Sequence, residues 1–271
     1  MAFRPLTWLA SFPKSGSTWA RMLLTAYHNN GLYLDINSTL GESDVSAISY
    51  QAATSVPLGL LTDQEHAWIR QAALVNVSYR SLHPVVLVKT HAANAEFFGV
   101  RLIPPALTHK AIYIARDPRA IVPSLARHLG DDYERAIEHL EDDAFCLDGP
   151  VKTLISSWTT HVRSWQSQEI ETVLVRYEDM LADPADALER MLLVCNIRPD
   201  AERIARSVEL CAITKLQEQE RELGFRERSH KTDCFFGGSP KWETELTSAQ
   251  VLRIEQSCAE QMAVLGYKRV T

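Results

Sequence analysis

Four short apolar runs, each followed by a polar turn or a helical pattern, constrain the fold of this chain most strongly. The runs lie at residues 6–10 (LTWLA), 85–89 (VVLVK), 111–115 (AIYIA) and 172–175 (TVLV). Apolar strands that alternate with helices predict an α/β fold, in which helices cover both faces of a parallel sheet. Ligands of such sheets bind beyond the carboxyl ends of the strands. We therefore expect the functional side chains in the turns after these four runs.

Helical spacing of apolar residues recurs between and after the strands. We predict a helix wherever this spacing is bounded by capping or turn residues. Apolar residues between 151 and 165 also follow helical spacing and should form one buried face, and Thr247 is the expected N-cap of a last helix that ends near Gly266. Since no linker interrupts the pattern, residues 1–271 are predicted to form one domain. The other predicted helices are at 17–28, 118–129, 184–195, 200–210 and 213–223.

Composition excludes several classes of protein. The chain has 28 Lys and Arg against 34 Asp and Glu, a formal net charge of −6, which argues against a general nucleic-acid binder. No apolar run approaches the roughly 18 residues of a membrane span, and the N-terminal apolar stretch is too short for a signal peptide. Five cysteines without a C-x-x-C pair, and scattered histidines, predict neither a disulfide framework nor a metal site. We expect a cytoplasmic protein with no membrane or nucleic-acid partner.

The first apolar run leads into the string S-F-P-K-S-G-S-T-W at residues 11–19. A strand, a glycine turn and a helix that begins with Ser17 and Thr18 are typical of a phosphate cradle, because the free N–H groups and dipole of a helix N-terminus attract an anion. Lys14 adds a positive charge. The string is not a Walker A loop, since Lys14 precedes Gly16 and no Gly-Lys-Ser/Thr follows. The alternative is an ordinary strand-to-helix turn with a capping serine.

Two further runs end in residues suited to chemistry. The second run continues into Lys89-Thr90-His91, and a histidine at a strand end has a pKa suited to a general base, although a loop histidine without a catalytic role is the alternative. The third continues into Arg116, whose guanidinium can bind a phosphate through two hydrogen bonds. Ser124 lies on the helix that follows.

Taken together, these strings resemble the motifs of sulfotransferases that use 3′-phosphoadenosine 5′-phosphosulfate (PAPS). The third string is similar to the family's 3′-phosphate motif Y-x-x-R-[ND]-P-[KR]-x-x-x-x-S, and Tyr177-Glu178-Asp179-Met180 is similar to its Y-E-D-[ML]. The resemblance implies the P-loop-kinase-like sulfotransferase fold and a PAPS donor, with adenosine 3′,5′-bisphosphate (PAP) as the product and no metal. It also implies transfer of the sulfuryl group to a hydroxyl of a small-molecule acceptor.

The resemblance implies a role for each matching residue. His91 would deprotonate the acceptor, while Lys14 and Lys89 would stabilise charge at the sulfuryl group. Ser15, Gly16, Ser17 and Thr18 would form the 5′-phosphosulfate loop, Trp19 would stack on adenine, and Arg116 and Ser124 would bind the 3′-phosphate. Arg119 and Arg127 are either helpers at that phosphate or surface residues. Tyr177 either lies near adenine or packs in the core.

The sequence departs from the family near its end. The family pattern resembles F-F-R-K-G-x-x-G-x-W, whereas this chain has F-F-G-G-S-P-K-W at residues 235–242. The backbone N–H groups of Gly237, Gly238 and Ser239 could still form an anion nest. Lys241, Arg228 or Lys231 could replace the lost positive charge.

The acceptor is less constrained than the donor. Phe97, Phe98, Phe145 and Phe236 suggest an apolar acceptor pocket, with core packing as the alternative. The acidic residues between 131 and 143 form either a solvated loop or a surface that attracts a cationic acceptor. The length is similar to that of soluble bacterial members that sulfate secondary metabolites.

Two other functions stay open, and so does the oligomeric state. An inactive module that binds PAP or PAPS would explain the two glycines that replace basic residues. A small-molecule kinase that uses ATP would share the phosphate cradle, but it would lack the usual Gly-Lys-Ser/Thr.

Overall fold

The computed structural model describes residues 3–228, 235–236 and 241–270. In this part of the chain a parallel sheet and two small antiparallel pairs account for all the strands. The strands are β1 (Leu6–Ser11), β2 (Glu42–Ser43), β3 (Val86–Thr90), β4 (Glu96–Phe97), β5 (Val100–Arg101), β6 (Thr108–Ala115), β7 (Cys146–Leu147), β8 (Thr153–Leu154) and β9 (Thr172–Arg176). The parallel sheet has the order β2-β3-β1-β6-β9, which confirms the predicted α/β class.

Helices cover both faces of the sheet. The side chains of β1 alternate between two buried clusters, with Trp8 and Ala10 in one and Leu9 in the other. Such alternation follows from the two-residue period of a strand whose two faces are both buried. The helices are α1 (Ser17–His28), α2 (Ala47–Gln51), α3 (Asp63–Arg80), α4 (Pro118–Leu129), α5 (Tyr133–Glu141), α6 (Trp158–Trp165), α7 (Tyr177–Ala182), α8 (Pro184–Val194), α9 (Ala201–Leu210), α10 (Ile213–Leu223), α11 (Trp242–Glu245), α12 (Ser248–Ser257) and α13 (Ala259–Val264).

The predicted helix between residues 151 and 165 is wrong in its first half. Ser156 adopts the left-handed conformation with φ 71°, which a helix does not tolerate. Ser157 then caps α6 by accepting a hydrogen bond from the backbone of Thr160. Val151 and Ile155 are nevertheless buried, as the apolar pattern requires. Periodicity therefore identified the buried residues here, but not the backbone conformation that buries them.

The last helix begins as predicted but is divided. Thr247 caps α12 through a capping box with Gln250, and Cys258 interrupts the helix before α13. The sequence reading missed α3, although Thr62 and Glu65 form another capping box at its start. No helix in the described residues is long and apolar enough to cross a lipid bilayer.

The register of the sheet aligns the motif-bearing turns. Ala10 near the end of β1 pairs with Thr90 of β3 on one side and with Tyr113 of β6 on the other. Ala115 of β6 pairs in turn with Arg176 of β9. All three pairings are parallel, so the turns that leave these four strands emerge side by side at one edge of the sheet.

Candidate active site

The turn after β1 holds a conformation that depends on glycine. Gly16 has φ 100° and precedes α1, whose start receives no hydrogen bond from a capping side chain. A Cβ atom added to Gly16 would collide with the ring of Tyr177. Lys14 also lies in the left-handed region, with φ 68°. The turn thus leaves the first N–H groups of α1 available to an anion.

A cavity of about 620 Å³ opens where these turns meet. It brings together most of the residues that the sequence singled out, and its walls come from all four motif-bearing turns. The predicted residues that line it are Lys14, Gly16, Ser17, Thr18, Trp19, Lys89, His91, Arg116, Ser124, Tyr177 and Phe236. Ser15 is fully buried behind the turn and is not part of the lining.

One end of the cavity is built around Arg116. Its guanidinium donates a hydrogen bond to the carbonyl oxygen of Lys14 at 2.8 Å and lies 4.4 Å from the ring centre of Tyr177. Trp19 meets Tyr177 edge-on at 6.2 Å and is held by a 3.0 Å hydrogen bond from Nε1 to the carbonyl oxygen of Cys211. This end therefore offers one cation and two aromatic surfaces.

Four cationic side chains line the described part of the cavity: Lys14, Arg21, Lys89 and Arg116. Burial lowers the pKa of Lys14 to about 8, and the neighbouring charges of Lys89 and Arg116 contribute. Burial also lowers the pKa of Lys89 and of Arg116. Like charges brought together in a partly desolvated cavity favour the entry of an anion, which removes their mutual repulsion.

Glu227 is the counter-ion within this group, and no sequence pattern pointed to it. Its carboxylate forms ion pairs with Arg21 and, at 3.2 Å, with Lys89. Burial alone would raise the pKa of Glu227, but Lys89 and Arg21 outweigh burial and hold the pKa below its usual value. Arg21 lies one turn after Ser17 on α1 and is buried, with its Nε atom lacking a hydrogen-bond partner among the described residues. The signal available in the sequence was Arg21 itself, because an arginine on the buried face of a helix needs an acidic partner.

The orientation of His91 determines which of its nitrogens is basic. Nδ1 lies 2.8 Å from the carbonyl oxygen of Ser11. A carbonyl can only accept, so Nδ1 carries the proton and Nε2 has a free lone pair. Burial lowers the pKa of His91 to about 3, and the positive charge of Lys89 adds to this effect. The imidazole is therefore neutral at pH 7 and can accept a proton through Nε2.

Several predicted residues lie elsewhere. Phe97 and Phe98 pack on each other in the β4–β5 hairpin, with ring centres 4.4 Å apart, and do not line the cavity. Phe145 is buried in the core and stacks on His139 at 4.3 Å. Of the four phenylalanines assigned to the acceptor pocket, only Phe236 lines the cavity. Gly237, Gly238 and Ser239 lie outside the described residues, as does Lys231.

The two possible helpers at the 3′-phosphate have other partners. Arg119 is buried and pairs with Asp117 and Glu255 at 2.6 and 2.5 Å, so it stabilises the fold and is not a surface residue. Arg127 is exposed and pairs with Glu245. By contrast, His128 at the end of α4, which the sequence suggested only as a helix-end residue, lines the cavity together with Ser43 and Leu147.

The acidic stretch after α4 is engaged in local contacts. Glu134 and Glu141 pair with Arg253 on α12, and Asp131 lies 3.2 Å from Nε2 of His139. Asp143 accepts a hydrogen bond from Ser157 at 2.6 Å. In the described residues no cluster of three or more His, Cys, Asp or Glu side chains could hold a metal ion.

Comparison with known proteins identifies the family. A family model described as a sulfotransferase domain matches residues 4–266. Carbohydrate sulfotransferase 2 of mouse is 24% identical over 200 residues, which cover 61% of this chain and 36% of the relative. Cytosolic sulfotransferase 16 of Arabidopsis thaliana is 24% identical over 292 residues, which cover 97% of this chain and 78% of the relative. The chain thus spans about a third of the first relative and over three quarters of the second.

Solved structures share the fold. A retinol dehydratase in complex with retinol and PAP has a TM-score of 0.62 at 18% identity, over 97% of this chain and 82% of that one. A mouse sulfotransferase in complex with PAP has a TM-score of 0.62 at 17% identity, over 96% of this chain and 84% of that one. Since the family model covers nearly the whole sequence, this chain belongs to the sulfotransferase domain family.

Proposed function

We propose that this chain transfers the sulfuryl group of PAPS to a hydroxyl of a small-molecule acceptor and releases PAP. The observation that carries the proposal is the placement of His91. Its imidazole ring, with Nε2 unprotonated, lines the same cavity as Lys14, Lys89 and the uncapped N-terminus of α1. Structural relatives that were solved with PAP support the choice of donor. The name of the Arabidopsis relative supports a cytosolic location.

The residues of the cavity fit a donor with several negative charges. Gly16 holds the turn at φ 100°, the start of α1 has no side-chain cap, and Nε of Arg21 is buried without a partner among the described residues. About 620 Å³ is within the range of cavities that hold a small ligand or cofactor. In the proposal Lys14, Gly16, Ser17 and Thr18 hold the 5′-phosphosulfate, and Ser15, which is buried behind the turn, supports the loop from inside.

The other end of the cavity suits the nucleoside and its 3′-phosphate. Arg116 lies just before α4, and Ser124 lies on that helix. In the proposal both bind the 3′-phosphate, since a guanidinium can donate two hydrogen bonds to phosphate oxygens. Trp19 and Tyr177 contact adenine with their aromatic surfaces. Gly237, Gly238 and Ser239 stay candidates for closing the site over this phosphate.

The proposed chemistry follows from the charges of Lys14 and Lys89 and from the free nitrogen of His91. His91 accepts the hydroxyl proton of the acceptor at Nε2 while Ser11 holds Nδ1. Lys14 and Lys89 stabilise negative charge that develops on the transferred group and on the leaving phosphate, an electrostatic contribution that is large in a partly desolvated site. When bound, PAPS supplies the sulfuryl group and a phosphate leaving group.

The acceptor in this proposal is a small molecule that carries a hydroxyl group. Retinol and androsterone, which are bound in solved retinol dehydratase structures, are small molecules of this kind. Ser43, His128, Leu147 and Phe236 line the cavity and are the candidates for contact with the acceptor. The set combines polar and apolar side chains, so it does not select an aromatic acceptor over an alkyl or sugar alcohol.

Calorimetric titration with PAP, ATP and adenosine 5′-phosphosulfate, in the absence of metal, tests the donor. Selective binding of PAP supports the proposal, whereas a preference for ATP with Mg²⁺ replaces it with a kinase. Incubation with PAPS and a library of hydroxyl compounds then tests transfer. Replacement of His91 by Gln should lower the rate about 10²–10⁴-fold and leave PAP affinity nearly unchanged. PAP binding without product from any acceptor would indicate an inactive binding module.

A further inference from the structure

Helix α6 donates side-chain hydrogen bonds to the backbone next to the proposed base. Nε2 of His161 lies 3.1 Å from the carbonyl oxygen of His91, and Nε1 of Trp165 lies 3.1 Å from the carbonyl oxygen of Ala92. His161 and Trp165 are four residues apart, which places them on one face of the helix. Two neighbouring side chains of α6 therefore bind two consecutive carbonyls of the segment that carries the base.

Donor and acceptor roles in this contact are fixed. Because the carbonyl of His91 can only accept, Nε2 of His161 carries the proton and Nδ1 is an acceptor. The hydroxyl of Tyr113 lies 2.8 Å from that Nδ1 and donates to it. Burial lowers the pKa of His161 to about 4, so the ring is neutral at pH 7. The pattern of bonds is therefore fully specified.

The connected groups come from four parts of the fold. Tyr113 lies on β6, His161 on α6 and His91 after β3, while Ser11 at the end of β1 holds the imidazole of His91 from the other side. His161 is fully buried and Tyr113 is 1% exposed, and neither lines the cavity. These two side chains cannot touch a ligand there, so any effect on the reaction must pass through the residues that they contact. Besides His91, these include Phe12 in the turn after β1, and the measurement of PAP affinity separates the two routes.

We propose that His161, oriented by Tyr113, is a positioning residue that fixes the backbone of His91 and keeps Nε2 directed at the acceptor. The proposal rests on the proposed function of His91 as the base. Ser11 determines which nitrogen of His91 is protonated. His161 determines the position of the His91 backbone, and therefore of its imidazole ring. Because small displacements of a reacting group cost large factors in rate, we expect the contact to matter for turnover and little for donor binding.

Three variants separate this role from a general effect on stability. Tyr113→Phe removes one hydroxyl, His161→Leu removes both ring nitrogens, and His161→Gln keeps an amide N–H that can reach the carbonyl of His91. Tyr50→Phe is the matched control, because Tyr50 is also 1% exposed and its hydroxyl accepts a hydrogen bond from Arg70, outside the cavity.

We expect kcat to fall roughly 10- to 100-fold in His161→Leu and less in Tyr113→Phe and His161→Gln. PAP affinity, measured by calorimetry, should stay within about threefold of the starting protein in all of them. Tyr50→Phe should leave kcat unchanged. Equal kcat in His161→Leu and the starting protein would overturn the proposal, and so would a parallel loss of kcat and PAP affinity.

A measurement without donor or acceptor separates this proposal from the proposed function. In protein labelled with ¹⁵N-histidine, the ring nitrogens of His91 should report protonated Nδ1 and bare Nε2. His161→Leu and Tyr113→Phe should change these nitrogen shifts or broaden them, while Tyr50→Phe should not. Unchanged shifts would overturn the positioning role, whatever the activity. A starting protein with the expected shifts and no sulfuryl transfer would contradict the proposed function alone.

Discussion

The ammonium group of Lys89 lies 3.2 Å from the carboxylate of Glu227. Both groups line a cavity whose other charged side chains, among the described residues, are Lys14, Arg21 and Arg116. Glu227 also pairs with Arg21, so one carboxylate is shared by two cations and the three groups keep a net positive charge. The side chain of Glu227 is 36% exposed, so water and added salt compete with both ion pairs. In the absence of a bound anion, this side chain provides the negative charge that the site would otherwise lack.

Replacing Glu227 with Gln should therefore tighten the binding of PAP. The change removes a negative charge that competes with the ligand for Lys89 and Arg21, and it retains the volume of the side chain. We expect the Kd for PAP to fall about 3- to 30-fold at low salt, measured by calorimetry, and the gain to shrink as salt is added. Glu209→Gln, in an exposed ion pair with Lys215, is the control. Weaker PAP binding in Glu227→Gln would show that the carboxylate positions its two cations for the ligand.

The lowered pKa of Lys14 predicts a pH dependence of PAP binding. In the free protein burial and neighbouring cations bring this pKa to about 8, so the neutral form predominates above that pH. A bound anion favours the charged form, so binding must take up a proton above pH 8, and affinity should fall as pH rises. Calorimetry in buffers of different ionisation enthalpy should detect uptake of roughly one proton at about pH 9 and much less at about pH 7.

Lys14→Arg provides the control for this pH dependence, because arginine keeps its charge throughout this range. In that variant proton uptake above pH 8 should disappear. The same uptake in Lys14→Arg would assign the titration to a different group, with Lys89 the nearest candidate, since burial lowers its pKa as well.

A methyl group at Gly16 should weaken donor binding. Gly16→Ala places a Cβ against the ring of Tyr177 and forces a non-glycine residue into φ 100°. Gly99→Ala is the matched control, because Gly99 has φ 74° but no atom within 4 Å of the added Cβ. Both variants should lose about 1–2 kcal/mol of stability from the left-handed backbone. PAP affinity should fall at least about tenfold in Gly16→Ala alone, a difference of about 1.4 kcal/mol.

Equal PAP affinity in the two alanine variants would mean that Tyr177 moves aside at no cost. The ring would then not be packed tightly enough to fix the surface that is proposed to contact adenine. A thermal melt of each variant shows whether the strain itself is present.

Arg119 should contribute to stability and not to donor binding. Its guanidinium is buried between Asp117 and Glu255, and Arg119→Met would remove the cation that pairs with both carboxylates. Breaking such a pair costs about 3 kcal/mol or more, which corresponds to a fall in Tm of roughly 5–10 °C. Arg163→Met, in an exposed pair with Glu260, should change Tm by less than about 2 °C. A loss of PAP affinity in Arg119→Met at a temperature where it is folded would restore Arg119 as a phosphate helper.

The sequence was most informative where function depends on the edge of the sheet. His91, Arg116 and the turn around Gly16 could be placed together because the turns after parallel strands share one edge, and the cavity contains all three. Most helices were also recognisable, since α1, α4 and α10 have the predicted bounds. The prediction that residues 1–271 form one domain stays a prediction.

Long-range contacts between unrelated segments could not be read in the same way. Glu227 is 138 residues from Lys89, and no spacing rule connects them. His161 has the helical spacing of the tryptophans around it, so it is indistinguishable from an ordinary core residue until α6 is placed against His91. Phe145 illustrates the opposite error, because an aromatic residue predicted at a ligand pocket is as easily buried in the core.

The two walls of the cavity differ in how firmly the sheet holds them. Most residues proposed for the donor follow β1, β3 and β6, which are neighbours inside the sheet. Ser43 and Leu147 belong instead to β2 and β7, strands of only two residues each. Substitutions, insertions or grafted loops at the short strands would break few sheet hydrogen bonds. Proteins with this fold can therefore evolve new acceptor specificities step by step while the donor site stays the same. A protein engineer could begin from the same two strands.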